Sequence, residues 1–143
     1  IFAWLPDVKG FNFHMGSAFS ADAKKMDDLL SFAEERGLFV VDSRTSLNSQ
    51  VRKAAKTKNI DVLYNDVFLD TEKDMESIQD QLRQCLRIAK RREYCIAIGH
   101  VHSANLPEAI LSVADEFNKE GVKFVLISEL LAVGRRGDAD TGN

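Results

Sequence analysis

"LFVVDSRTS", residues 38–46, is a short apolar run that follows Gly37 and breaks into a polar cluster. A run this short, bounded by glycine and polar residues, reads as a buried strand. Working back from it, Met26, Leu29, Leu30 and Ala33 recur at helical spacing. Ser20, Asp22 and Ala23 give that helix an N-cap, and Gly37 gives it a C-cap. Earlier still, Val8 to Phe13 reads as another strand. Working forward, residues 48–58 read as a short helix, and "IDVLYNDVFLD" (60–70) as one strand and a loop. Thr71 to Arg92 is a long helix with an acidic start and a basic end, the polarity that the helix dipole favours. "YCIAIGH" (94–100) is the clearest buried strand. Leu106 to Glu120 is a helix opened by Pro107 in its first turn. "KFVLIS" (123–128) closes the series as a last strand before a short apolar helix at 129–132.

Strands separated by single helices imply parallel βαβ units. The expected fold is therefore α/β, with parallel strands near 8–13, 38–41, 60–64, 95–99 and 123–127. Parallel sheets need both faces covered, so the strands form an open sheet or part of a barrel. Residues 1–132 read as one unit without an internal linker. Residues 133–143, which include "GRRGDADTGN" (134–143), read as a disordered polar tail.

Composition narrows the function classes. The chain has 143 residues, 45% hydrophobic and 29% charged, which is an ordinary globular balance. A net charge of −3 gives no electrostatic footprint for nucleic acid. The basic run Lys90-Arg91-Arg92 closes a helix, where cations complement the carbonyl end. No apolar run reaches the roughly 20 residues that span a membrane. Cys85 and Cys95 show no metal-binding spacing and read as small buried hydrophobes, with no disulfide signalled.

Chemistry-bearing residues gather where strands end. Asn12, His14 and Ser17 follow the first strand, and Asp42 to Ser46 the second. Asn65, Asp66 and Asp70 fall in the third region, and Gly99 to His102 follow the fourth strand. In parallel α/β folds, ligands sit beyond the carboxyl ends of the strands. All three histidines of the chain occupy such positions. Each of these residues also has a structural reading. The histidines can simply satisfy loop carbonyls, and Asp42 with Arg44 can form an ion pair that pins loops together.

Four motifs carry a family likeness. "NFHMGS" (12–17), "LFVVDSRTS" (38–46), "DVFLD" (66–70) and "IAIGH" (96–100) occur in the order seen in the divergent polysaccharide deacetylase family. The chain resembles that bacterial branch of the polysaccharide deacetylase-like β/α-barrel proteins over roughly residues 8–132. The resemblance implies part of a deformed (β/α)7 barrel, with an N-terminal barrel portion expected in the native protein. An Asp from that portion, expected to help bind metal or act as base, is not in this sequence.

Carried over by position, His14 is similar to the family's histidine metal ligand, with Phe13 where a second Asn is common. Asn12, Ser17, Asp42 and Arg44 are implied to line the substrate groove. Asp66 is implied as a catalytic carboxylate, with Asn65 replacing a usual Arg. His100 is implied as the general acid, followed by Val101 rather than the common Pro. The expected cofactor is a divalent metal, zinc first, and the expected partner is a polysaccharide or acylated sugar. The implied activity is metal-dependent hydrolysis of N- or O-acyl groups, in the periplasm or outside the cell. The alternative is a non-catalytic carbohydrate- or envelope-associated binding protein that keeps the barrel.

Overall fold

The computed structural model describes residues 4–13 and 16–132. Its elements are β1 (Gly10–Asn12), α1 (Ser17–Ser20), α2 (Ala23–Glu35), β2 (Phe39–Asp42), α3 (Val51–Ala55), β3 (Val62–Tyr64), β4 (Val67–Phe68), α4 (Met75–Arg92), β5 (Ala97–Ile98) and α5 (Leu106–Lys119). Every paired strand is parallel to its neighbour. The fold is α/β, with parallel strands alternating with helices, as the sequence pattern implies.

Among the described residues the strands form two ladders, β1-β2-β3 and β4-β5. They share one extended run of chain. Asn65 N donates to Asp42 O at 2.9 Å on one side, and Asp66 N donates to Ile96 O at 2.8 Å on the other. Successive amides of a strand point to opposite sides, so residues 62–68 pass from one ladder to the next. Val67 N also donates to Ile96 O, at 3.3 Å. Two residues therefore oppose one, the signature of a β-bulge. The bulge has a consequence for packing. Before it, Ile60, Val62 and Tyr64 pack on a core of Met26, Leu30, Ala33, Leu38, Val40 and Val51. After it, Val67 and Leu69 belong to a core with Ile78, Leu82, Cys85, Ala109 and Val113. The inserted residue changes the parity from even to odd, so apolar side chains keep facing the helices.

Helix ends follow their local chemistry. Asp22, not Ser20, caps α2, accepting from Lys25 N at 3.1 Å. Ser20 is buried and closes α1, donating through Oγ to Ser17 O. Of the residues expected at this helix start, Asp22 is therefore the cap. Gly37 ends α2 with φ 61°, and Leu38 N reaches back to Ala33 O at 2.9 Å. That is the glycine-terminated wrap expected of a helix C-terminus. Asp74 caps α4 through Ser77 N at 2.8 Å. Its far end closes on Glu93, a left-handed residue with φ 69°.

The strand expected at 123–127 is not formed. Residues 122–126 pair with no strand among the described residues. Phe124 stacks on Phe117 of α5, with ring centroids 4.7 Å apart. Phe124, Val125 and Leu126 are exposed. A β-prone run needs a neighbouring strand to satisfy its backbone, and the described residues supply none beside it. Residues 127–132 are helical, opened by a Glu129 carboxylate that accepts from Leu126 N at 2.8 Å. The tail expected at 133–143 lies outside the described residues.

Candidate functional site at the strand ends

β1, β2 and the run 62–68 are parallel, and β5 is parallel to that run, so their carboxyl ends point the same way. Beyond β1 and β2 lies a polar rim. Asn12 Nδ2 donates to Ser43 Oγ at 3.3 Å, and Ser43 Oγ donates to Phe13 O. Ser17 Oγ reaches Thr45 O at 3.5 Å. These contacts tie the loop after β1 to the loop after β2, bringing Asn12, Ser17, Asp42 and Arg44 into one neighbourhood.

Asp42 is buried, and its two carboxylate oxygens serve its own loop. One accepts from Arg44 N at 2.8 Å and the other from Ser49 Oγ at 2.8 Å. The partner is the Arg44 backbone, not its guanidinium. Arg44 adopts φ 57°, a left-handed conformation that a residue with a Cβ enters at a cost of ~1–2 kcal/mol. The Asp42 carboxylate holds it there, and the Arg44 side chain is exposed. The rim thus carries a cation on a strained, braced turn.

The second cluster follows β4 and β5. Asp70, 3% exposed at its side chain, accepts from His100 N at 2.8 Å and faces His100 Nδ1 at 3.0 Å. Burial works to raise the Asp70 carboxyl, but the hydrogen bonds and charge of His100 outweigh it and hold the group below the usual carboxylate range. An ionised carboxylate only accepts, so His100 donates to Asp70 through its Nδ1–H. The ring of His102 lies 5.2 Å from that of His100. Gly99 permits this arrangement, because a Cβ there would stand 2.5 Å from Leu106 Cδ2 at the start of α5.

Asp66 is engaged elsewhere. One of its oxygens accepts from Arg92 at 2.7 Å and the other from Ile96 N at 3.0 Å. Both partners lie where α4 ends and the chain enters β5. This is the amino side of that strand, whereas His100 is beyond its carboxyl end. Asp66 thus braces the bulge, and Asp70 is the carboxylate beside His100. Sequence reasoning placed Asp70 among the strand-end residues without giving it a role. The available signal was its place at the tip of the apolar "VFL" run (67–69).

His14 lies outside the described residues. Among the described residues, no three His, Cys, Asp or Glu side chains come together as a metal site. No helix among them is long and apolar enough to cross a membrane.

The sequence profile of the divergent polysaccharide deacetylase family matches residues 1–131. The chain belongs to that family. An uncharacterized protein of Haemophilus influenzae is 37% identical over 94 residues, 66% of this chain and 34% of that protein. The Escherichia coli protein YibQ, also uncharacterized, is 32% identical over 102 residues, 71% of this chain and 32% of YibQ. The crystal structure of an uncharacterized Agrobacterium tumefaciens protein superposes with a TM-score of 0.80 at 26% identity. That match covers 85% of this chain and 49% of the Agrobacterium protein. The likeness to that structure is consistent with a partial barrel. The chain spans about a third of the length of the curated relatives it matches.

Proposed function

We propose that this deacetylase-family chain supplies the acid–base group and part of the substrate rim of a hydrolase that removes N- or O-linked acyl groups from a polysaccharide. The observation that carries this reading is the His100–Asp70 pair at the carboxyl end of β4 and β5. Asp70 fixes the imidazole through Nδ1, as a positioned acid–base group requires. In this reading the ring acts protonated on both nitrogens: Nδ1–H stays on Asp70, and Nε2–H passes its proton to the departing sugar oxygen or nitrogen as the acyl carbon–heteroatom bond breaks. Arg44, Asn12 and Ser17 contact the sugar from the neighbouring strand ends.

We infer the rest of the site from the family and from chain length. A protein as long as the matched relatives carries further barrel strands, and the exposed 124–126 run is one edge on which they would pack. A divalent metal, zinc first, is proposed for the complete protein, with His14 as the ligand this chain contributes. Such an ion supplies Lewis-acid polarisation of the acyl carbonyl. The described residues alone do not make its ligand set. Envelope polysaccharide as substrate places the protein in the periplasm or outside the cell.

The test is acyl release from an acetylated oligosaccharide by the full-length protein, with and without added zinc. His100→Ala should lower turnover ~10²–10⁴-fold while leaving metal content unchanged. His14→Ala should lower metal content and turnover together. Wild-type protein that binds the oligosaccharide but releases no acid would favour the second reading, a non-catalytic carbohydrate-binding barrel.

A further inference from the structure

The two cysteines of the chain meet. Cys85 lies on the buried face of α4, in the core with Ile78, Leu82 and Leu86. Seven residues after it α4 ends, and Glu93 at φ 69° turns the chain back along the helix it has just left. Cys95 is two residues past that turn. It is half-buried and packs against the same core, which sets its thiol beside that of Cys85. A sulfur pair in contact across a tight reversal has a built route to a covalent bond.

We propose that Cys85 and Cys95 form an intramolecular disulfide that staples the end of α4 to the entry of β5 when the chain meets a small disulfide oxidant. The hydrogen bond from Cys85 holds the Cys95 thiol below its ordinary value, and the Arg92 guanidinium adds to this, against burial and the Asp66 carboxylate. The same bond and burial push the Cys85 thiol up. Cys95 is also the more accessible sulfur, so it attacks first. Its thiolate bonds to one sulfur of the oxidant, whose S–S bond breaks and releases one thiolate. Cys85 then attacks the Cys95 sulfur, releasing the second thiolate. Two protein thiols lose two electrons, one oxidant disulfide gains them, and the two protein protons end on the released thiols.

The staple closes a ring of about a dozen residues around the α4–β5 turn. β5 leads directly to Gly99 and His100, so the bond secures the strand that carries the candidate acid–base group. The proposal does not depend on the deacetylase reading. It does fit an oxidising compartment, where such bonds persist.

The experiment treats folded, reduced full-length protein with oxidised glutathione, blocks the remaining thiols by alkylation, and maps the tryptic peptides. The expected product joins residues 84–87 to residues 93–119, without a mass increase from glutathione. The melting midpoint should rise by about 5 °C on oxidation and fall back on reduction. Cys95→Ser, a change at the half-buried partner, should abolish both effects. Cys85→Ser should release one glutathione and stop there, leaving a mixed disulfide on Cys95. Wild-type protein in which both thiols remain alkylatable would overturn the proposal. So would a persistent glutathione adduct on wild-type Cys95, or a bond between two chains.

Discussion

Asp42 and Asp70 are both buried aspartates at the carboxyl ends of parallel strands, and each accepts a backbone N–H at 2.8 Å. They differ in how far their second oxygen reaches. Asp42 turns it to Ser49, seven residues on in the same loop. Asp70 turns it to a histidine ring thirty residues away, beyond the end of another strand. The first arrangement stores geometry, because it holds Arg44 in a left-handed turn. The second stores chemistry, because it fixes a titratable ring. A strand-end aspartate is therefore not a role in itself; the role is set by what its outer oxygen meets.

Removing the Asp70 charge should cost the most activity. Asp70→Asn keeps an acceptor for His100 N but removes the charge that fixes the ring. Turnover of the full-length protein on an acetylated oligosaccharide should fall ~10²-fold or more, with the fold retained by circular dichroism. Asp42→Asn should change turnover far less. If the two variants lost activity equally, the distinction drawn between geometry and chemistry would fail.

The next effect is on stability. Asp42→Ala strips the partner from Arg44 N and from Ser49 Oγ, and buried donors left unmade cost ~1–3 kcal/mol. Urea denaturation should register a loss of about 2 kcal/mol and a loosened 42–50 loop. A loss below about 0.5 kcal/mol would mean that water replaces the carboxylate and that Arg44 is held by other contacts.

Much of this contrast was hidden from the sequence, for a physical reason. The alternation of apolar runs and amphipathic stretches exposed the parallel α/β order, because burial imposes a period on each element. Gly37, Pro107 and the buried face of α4 were legible in the same way. The bulge at Asp66–Val67 was not, since one extra residue leaves no local composition mark and only shifts which side chains face the helices. That shift separates Asp66 from His100 and puts Asp70 beside it. The run 123–127 misled because β propensity describes the segment alone, while pairing needs a neighbour. His14 lies outside the described residues, so its role rests on the resemblance.

Acid titration sharpens the comparison further. Asp70 has its pKa depressed in the folded state. A depressed carboxylate contributes stability that is present above its unfolded value, about 3.9, and is lost as pH falls through the lower folded value. The stability gap between wild type and Asp70→Asn should therefore shrink as pH falls below about 4. A gap that instead widened on acidification would reverse the sign of the His100–Asp70 coupling.

The smallest effect separates strain from affinity at Arg44. Arg44→Gly places the residue that best tolerates φ near 57° where arginine now stands. Glycine relieves ~1–2 kcal/mol of left-handed strain but gives back up to ~1 kcal/mol through the greater freedom of the unfolded chain. The net change in stability should be slightly favourable, within about 1 kcal/mol. Binding of an oligosaccharide should weaken at the same time, because the exposed guanidinium is lost from the rim. Arg44→Lys is the companion variant. It keeps the charge and the strain, so it should leave stability where it is and restore part of the binding. A glycine variant that was more stable and bound equally well would reduce Arg44 to a turn residue. The Asp42 loop would then be a structural brace and nothing more, and the binding role would pass to Asn12 and Ser17 alone.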